Sequence, residues 1–228
     1  MPQRGDKCRL TEMADKNARE EILIATTKAQ RSLKTLEWLQ RALELDAPPE
    51  RIEAFDISNL GDSGIVAGMT VFQHGRPRKS DYRKFRIRTT DGQNDYGAMH
   101  EALTRRFQHY LDGDLGFCPL PDLLLIDGGR GQVGAVKQAL RGTALEHVPT
   151  FGMVKDDHHR TRAIVDDAGG EIAINRHRNI FTFVTNIQDE THRYANDYRK
   201  RMMHKKSYAA TLTELPGVGP KTSAALLA

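Results

Sequence analysis

Leu123-Leu124-Leu125-Ile126-Asp127-Gly128-Gly129 is the stretch on which the fold turns. An unbroken apolar run of this length predicts a strand over 122–127 in the middle of a sheet covered on both faces. Gly128-Gly129 then turns the chain into a helix expected over 130–141. Upstream, Arg51-Ile-Glu-Ala-Phe-Asp-Ile-Ser58 predicts a second strand carrying an aspartate near its end. A Gly/Asp/Ser turn links it to a strand over 64–73, and His74-Gly75-Arg76-Pro77 leads to a third strand at about 80–88. Connections this short imply an antiparallel meander. A helix over 94–111 follows, with Met99, Leu103, Phe107 and Leu111 on one face. Beyond 141 the pattern predicts a strand at 149–154, a hairpin of 161–166 with 171–175 around Asp167-Ala168-Gly169-Gly170, and a polar helix over 178–205. Residues 211–228 read as a separate small element.

Three antiparallel strands, helix, strand, helix, strand is the order of a ribonuclease-H-like α/β fold. Its mixed sheet has three antiparallel strands followed by parallel ones, flanked by helices, and the fourth strand lies beside the first. Neighbouring strands are about 4.8 Å apart, so Asp56 and Asp127 would stand within reach of a single ion. A carboxylate in apolar company loses hydration at a cost unless something compensates it. A divalent cation is the usual compensation where two converge, and metal-assisted phosphoryl chemistry is the function such a pair suggests. A strand-end aspartate also caps turns and helices, a reading that suits Asp127 before Gly-Gly better than Asp56, which Phe55 and Ile57 flank.

Before the first strand, Ile22, Ala25, Ala29, Leu33, Leu36, Leu39 and Leu43 recur at three and four, predicting a helix over 10–45 that packs on the domain and ends at Pro48-Pro49. Trp38 on that helix is expected in the core rather than as a stacking platform. With 228 residues, 39% hydrophobic and 28% charged, the chain is globular rather than disordered, and long enough for one substantial core plus appendages. Cys8 and Cys118 lack CxxC spacing, which excludes a disulfide scaffold or structural zinc site and fits a reduced, cytoplasmic setting. No apolar run is long enough for a membrane span, and the polar N-terminus is no signal peptide.

The net charge of +4 matters less than its distribution. From Arg193 to Lys206 six basic residues (Arg193, Arg199, Lys200, Arg201, Lys205, Lys206) stand against Asp197 alone. Beside His192 and ahead of a second nucleic-acid signal, this run reads as phosphate binding rather than a merely solvated face. That second signal is Leu215-Pro216-Gly217-Val218-Gly219-Pro220-Lys221, which resembles a helix-hairpin-helix motif. Gly217 and Gly219 permit a tight hairpin whose N–H groups bond phosphate, and Lys221 adds charge. His192, in Gln188-Asp-Glu-Thr-His-Arg-Tyr-Ala195, is a candidate metal ligand or proton carrier, or a surface histidine of a polar helix. Asp95 opens a helix, as a cap or an auxiliary acid. Gly128-Gly129-Arg130-Gly131-Gln132 lacks the lysine of a nucleotide-binding P-loop, so a close approach of DNA backbone suits it better. Lys155, Arg160 and Arg162 of the 155–162 loop are candidate phosphate grips, or solvated loop charges. His158-His159 has no further ligands at metal spacing.

Phe-Asp-Ile-Ser-Asn (55–59), Lys-Ser-Asp-Tyr-Arg-Lys-Phe (79–85), Asn-Asp-Tyr-Gly-Ala-Met (94–99), Leu-Thr-Arg-Arg-Phe (103–107), Leu-Ile-Asp-Gly-Gly-Arg-Gly-Gln (125–132), Lys-Asp-Asp-His-His-Arg-Thr-Arg (155–162) and Asp-Glu-Thr-His-Arg-Tyr-Ala (189–195) together resemble the C-terminal half of the bacterial excinuclease subunit UvrC. The resemblance runs over nearly the whole chain. It implies a ribonuclease-H-like endonuclease domain, then a tandem helix-hairpin-helix domain, and an incision on the 5′ side of a lesion in nucleotide excision repair. It implies a catalytic triad at Asp56, Asp127 and His192, with Asp95 as a further acid, and Mg²⁺ or Mn²⁺ as the metal. Histidine among hard oxygen ligands favours Mn²⁺ more than an all-carboxylate site would. The family's N-terminal GIY-YIG nuclease and its UvrB-pairing region have no counterpart here, and only the first hairpin unit is present, incomplete. The chain therefore reads as a piece of a longer protein, with Met1-Pro2-Gln3 as an artificial start.

The expected organisation is an N-terminal helical segment (1–50) packed on an endonuclease domain (51–207), then a truncated helix-hairpin-helix element (208–228). The expected partners are damaged double-stranded DNA and, in the full-length protein, the UvrB–DNA complex; the fragment itself is expected to be monomeric. A non-catalytic DNA-binding or scaffold module of a repair complex is the alternative.

Overall fold

The computed structural model describes residues 6–59, 64–88, 94–155, 161–174 and 177–213, with Gly219, Thr222 and Ala225 beyond them. The apolar run forms β5 (Leu123–Asp127) in the interior of an eight-stranded sheet. It pairs parallel with β1 (Arg51–Asn59), Ala54 opposite Leu125 and Phe55 opposite Ile126. β1 pairs antiparallel with β2 (Ile65–Gln73), which carries β3 (Arg76–Pro77) and β4 (Arg83–Arg86) along its other edge. On the far side of β5, β6 (Thr150–Lys155) is parallel, then β7 (Thr161–Val165) and β8 (Glu171–Ile172) run antiparallel. This is the ribonuclease-H-like strand order expected from the sequence.

Four helices cover the sheet. α2 (Asp95–Leu111) and α3 (Arg130–Leu140) take one face, and α1 (Asp6–Ala42) and α4 (Arg178–Thr213) the other. The strands alternate between two cores, as a pleat requires. Leu124, Ile126 and Phe55 join Met99, Leu103 and Val136 on the α2–α3 side. Leu123, Leu125, Ile52 and Ala54 join Leu39, Ile180, Val184 and Ile187 on the α1–α4 side. By the same parity Asp56 and Asp127 both project toward α4.

Several elements differ from expectation. The third strand, expected over 80–88, is confined to β4, and the two-residue β3 forms at 76–77, where a turn is expected. Between them Lys79–Asp81 tightens into a 3-10 turn, because buried Arg51 draws in the Asp81 carboxylate at 2.7 Å. α1 buries Leu36 and Leu39, with Leu43 buried just past its end, while Ile22 and Leu33 of the same stripe stay exposed. At 37 residues the helix is about 55 Å long, and its C-terminal part alone lies on the sheet-bearing core. Trp38 is 38% exposed rather than in the core, its ring tilted against His177 at 5.7 Å. α4 is less polar than expected, since Ile180, Val184, Ile187 and Ala195 make a continuous buried face, and it extends to Thr213. Most of the helix-hairpin-helix stretch, with Gly217 and Lys221, lies outside the described residues; Gly219 is exposed.

Candidate metal centre

Register brings the two aspartates together. Phe55 pairs with Ile126, so the next residues, Asp56 and Asp127, sit side by side where β5 and its pairing with β1 end. α4 supplies the third group. The helix approaches β2 closely because Gly68 has no side chain: a Cβ there would stand 3.0 Å from the Cβ of Ala195. Gly68 is the pairing partner of Asp56, so this close contact fixes the helix turn that carries His192. His192 Nδ1 lies 3.0 Å from Asp56 Oδ2 and 3.9 Å from Asp127 Oδ2. One ligand atom from each of the three residues falls within 4.8 Å of the others.

Each member has a partner that fixes its orientation. Gln188, fully buried one turn before His192, donates from Nε2 to Asp127 Oδ1 at 2.7 Å and to the Met153 carbonyl at 3.0 Å. Its own carbonyl oxygen accepts from Thr161 Oγ1. Lys155 Nζ donates to the other Asp127 oxygen at 3.0 Å. One turn after His192, Asn196 Nδ2 lies 2.8 Å from the imidazole Nε2, and Ser58 Oγ donates to Asn196 Oδ1 at 3.3 Å. As the Asn196 amide is assigned, Nε2 accepts and Nδ1–H points at Asp56. Burial pushes the Asp56 carboxyl up to about 6, and the neighbouring Asp127 charge adds to the rise against the opposing pull of His192 and Lys155. Two carboxylates and one imidazole converge where local cations only partly balance the negative charge. That donor set fits a divalent ion that accepts hard oxygen and borderline nitrogen ligands.

The other expected site residues are distributed differently. Asp95 is exposed at the start of α2, outside the three-residue group; the helix cap is Asn94, whose side chain accepts from Gly97 N. Arg130 is exposed at the start of α3, its side chain lying over Gly169. Lys155 faces the carboxylates instead of open solvent. Arg193 is bound within α4 by Glu190 at 2.7 Å and by Asp197. Arg160 lies outside the described residues, as do the side chains of Arg162, Lys200 and Arg201, whose backbones belong to β7 and α4. Gln188 and Asn196 were missed from sequence. Their signal was spacing: Gln188, His192 and Asn196 stand four apart, on one helix face.

The family model described as "UvrC RNAse H endonuclease domain" matches residues 40–195. The chain belongs to this family. Among curated relatives, the UvrABC system protein C of Alkaliphilus oremlandii is 39% identical over 243 residues, covering 100% of this chain and 39% of its own length. The protein of the same name from Acetivibrio thermocellus is 39% identical over 246 residues, with the same coverage. The chain thus spans 39% of the length of these UvrC relatives. A crystal structure of human ENDOV aligns with a TM-score of 0.39 at 11% identity, covering 71% of this chain and 90% of that one. No helix among the described residues is long and apolar enough to cross a membrane.

Proposed function

We propose that this domain hydrolyses a DNA phosphodiester with a divalent metal ion, Mg²⁺ or Mn²⁺, and makes the 5′ incision beside a lesion in nucleotide excision repair. The observation that carries the proposal is the convergence of Asp56, Asp127 and His192 within 4.8 Å where the parallel pairing of β1 and β5 ends. Asp56 and Asp127 would hold the ion, with His192 as third ligand through Nδ1 in the other tautomer, which carries the proton on Nε2 and offers it to a turned Asn196 amide oxygen; the ion would polarise the scissile phosphate and acidify a water. Gln188 keeps Asp127 turned toward the cluster, and Asn196 does the same for the imidazole. Lys155, now 3.0 Å from Asp127 Oδ2, would be the cation beside the carboxylates to meet a phosphate oxygen once Asp127 held the ion. Water adds to phosphorus as a P–O ester bond breaks. In the alternative role His192 stays off the ion and, with Nδ1 3.0 Å from Asp56 Oδ2, holds or passes on the water's proton. Asp95 is an auxiliary acid in this proposal. Arg130, Arg160, Arg162 and the basic stretch through Lys200 and Arg201 steer the strand, with Gly217, Gly219 and Lys221 gripping backbone phosphate.

The name UvrABC system protein C carried by the relatives supports work within a UvrABC assembly; damaged duplex DNA and a UvrB–DNA complex, in the cytoplasm, are the partners and setting of this proposal. A single-turnover nicking assay on lesion-bearing duplex with the other repair subunits tests this. Asp56→Ala and Asp127→Asn are each expected to abolish the 5′ nick. A 5′ nick retained by Asp56→Ala would overturn the assignment.

A further inference from the structure

A cleft of about 340 Å³ lies between the later turns of α1 and the first turns of α4. Arg31, Lys34 and Trp38 form its α1 wall, spaced so that they share one helix face. Arg178, Asn179 and Asn186 belong to the α4 wall. Among the described residues, three cations and two amides line the cleft, and no carboxylate does. Among the described residues no ion pair involves any of these three cations. Elsewhere on α4 the basic residue Arg193 is paired twice over. The cleft therefore presents an unneutralised positive field, the complement of a polyanion. Trp38 adds the second feature. It is 38% exposed, and its ring is braced against His177 at 52°.

We propose that this cleft binds single-stranded DNA, one base stacked on Trp38 and the flanking phosphates held by Arg31, Lys34 and Arg178. Aromatic platforms set in a cationic groove are how proteins hold single strands without reading sequence. A duplex keeps its base faces stacked internally and has none to offer Trp38. About 340 Å³ is at the lower end of the roughly 300–1,000 Å³ of ligand pockets, which suits a nucleotide unit better than a folded partner. α4 links the cleft to the carboxylates: Arg178 precedes His192 by fourteen residues, about 21 Å along the axis. A strand anchored here would be held to one side of the scission point. The choice of DNA over another nucleic acid rests on the nuclease function proposed above; the cleft's charge and stacking do not.

Trp38 is the chain's single tryptophan, so its fluorescence reports this cleft and not the basic stretch or the hairpin motif. The full chain in EDTA is titrated with a short oligodeoxythymidylate. Saturable quenching is expected. Arg31→Ala and Arg178→Ala should each weaken it and lower the slope of log affinity against log salt by roughly 0.7. Trp38→Leu, followed with a labelled oligonucleotide, should weaken binding to the cleft at least about fivefold. Absence of quenching, quenching unchanged by both arginine substitutions, or equal quenching by a duplex of the same length would overturn the proposal. Asp127→Asn should bind like the parent. Quenching retained in a protein that never incises would sink the nuclease function and leave the cleft standing, and incision without quenching would do the reverse.

Discussion

Asp56 is the residue at which burial and function pull against each other. Its carboxyl, held up at about 6 by burial first and Asp127 second, takes a proton far more readily than the ordinary 3.8. In the metal-free protein the folded state therefore binds more protons than the unfolded chain between about pH 4 and 6. The resulting stability is full below the ordinary value and is lost as pH rises through 6, about 2–3 kcal/mol in all. With EDTA, the melting temperature is expected to fall across this window relative to Asp56→Asn, which lacks the titrating group. Saturating Mn²⁺ should remove that slope, because the ion holds the carboxylate charged; titration calorimetry in buffers of different ionisation heat should show proton uptake by buffer near pH 5.5. A slope shared by Asp56→Asn would refute the assignment. The partners of the ligands should separate by burial. Gln188→Leu leaves Asp127 Oδ1, the Met153 carbonyl and Thr161 without their partner, so it should cost both stability and about 10–100-fold in Mn²⁺ affinity. Asn196→Ala touches a half-buried amide and should lower incision or affinity by a similar factor with little change in melting temperature.

The helix that bears His192 shows what was legible at the level of elements. Strand order, the two-faced covering and the adjacency of Asp56 with Asp127 follow from the 123–129 run and the short connections around 59–76, because pleat parity and parallel pairing are local rules. The buried face of α4 was less legible. Thr191 and Gln188 are polar by type, yet are buried by bonding Thr70 Oγ1 and Asp127, respectively. The exposed half of α1 was also hidden, since an apolar stripe shows which face would pack but not where the surface beneath it ends. Gly68 was read only as part of a strand, and its contact with Ala195 across more than a hundred residues leaves no trace in periodicity. Gly68→Val would push α4 off β2 just where Asp56 pairs. It is expected to destabilise by about 1–3 kcal/mol and to reduce Mn²⁺ affinity as His192 moves. Ala195→Gly should recover part of both losses, a coupling that a double-mutant cycle measures; strictly additive effects would show that the helix contact is not responsible.

Across the molecule, β1 divides its polar cargo between two faces. Asp56 serves the α4 side, while Glu53 points the other way into a fully buried charge cluster. Arg106 of α2 binds Glu53 through Nε at 2.8 Å and Nη2 at 2.7 Å and also donates to the Phe117 carbonyl. Arg51 bonds the same carboxylate at 3.2 Å and carries the link to Asp81 in the 3-10 turn. Four segments distant in sequence are thus linked through Glu53 and its two arginines. No spacing rule picks out such a meeting, and Glu53 reads from sequence as a strand charge like any other. Its removal leaves Arg106 with backbone carbonyls and no carboxylate, and Arg51 with Asp81 alone. Breaking a buried pair by deleting one partner costs about 3–5 kcal/mol, and here one deletion strands Arg106 and takes one of two carboxylates from Arg51. Glu53→Ala should therefore be among the most destabilising single substitutions in the domain. Because the cluster is dry, added salt should restore little of the loss. Glu53→Gln, which keeps the shape and a hydrogen-bonding oxygen, should fall between parent and alanine in denaturant midpoint. If Glu53→Ala unfolded within about 1 kcal/mol of the parent, comparable to an exposed pair, the cluster would not be what ties α2 and the outer strands to β1.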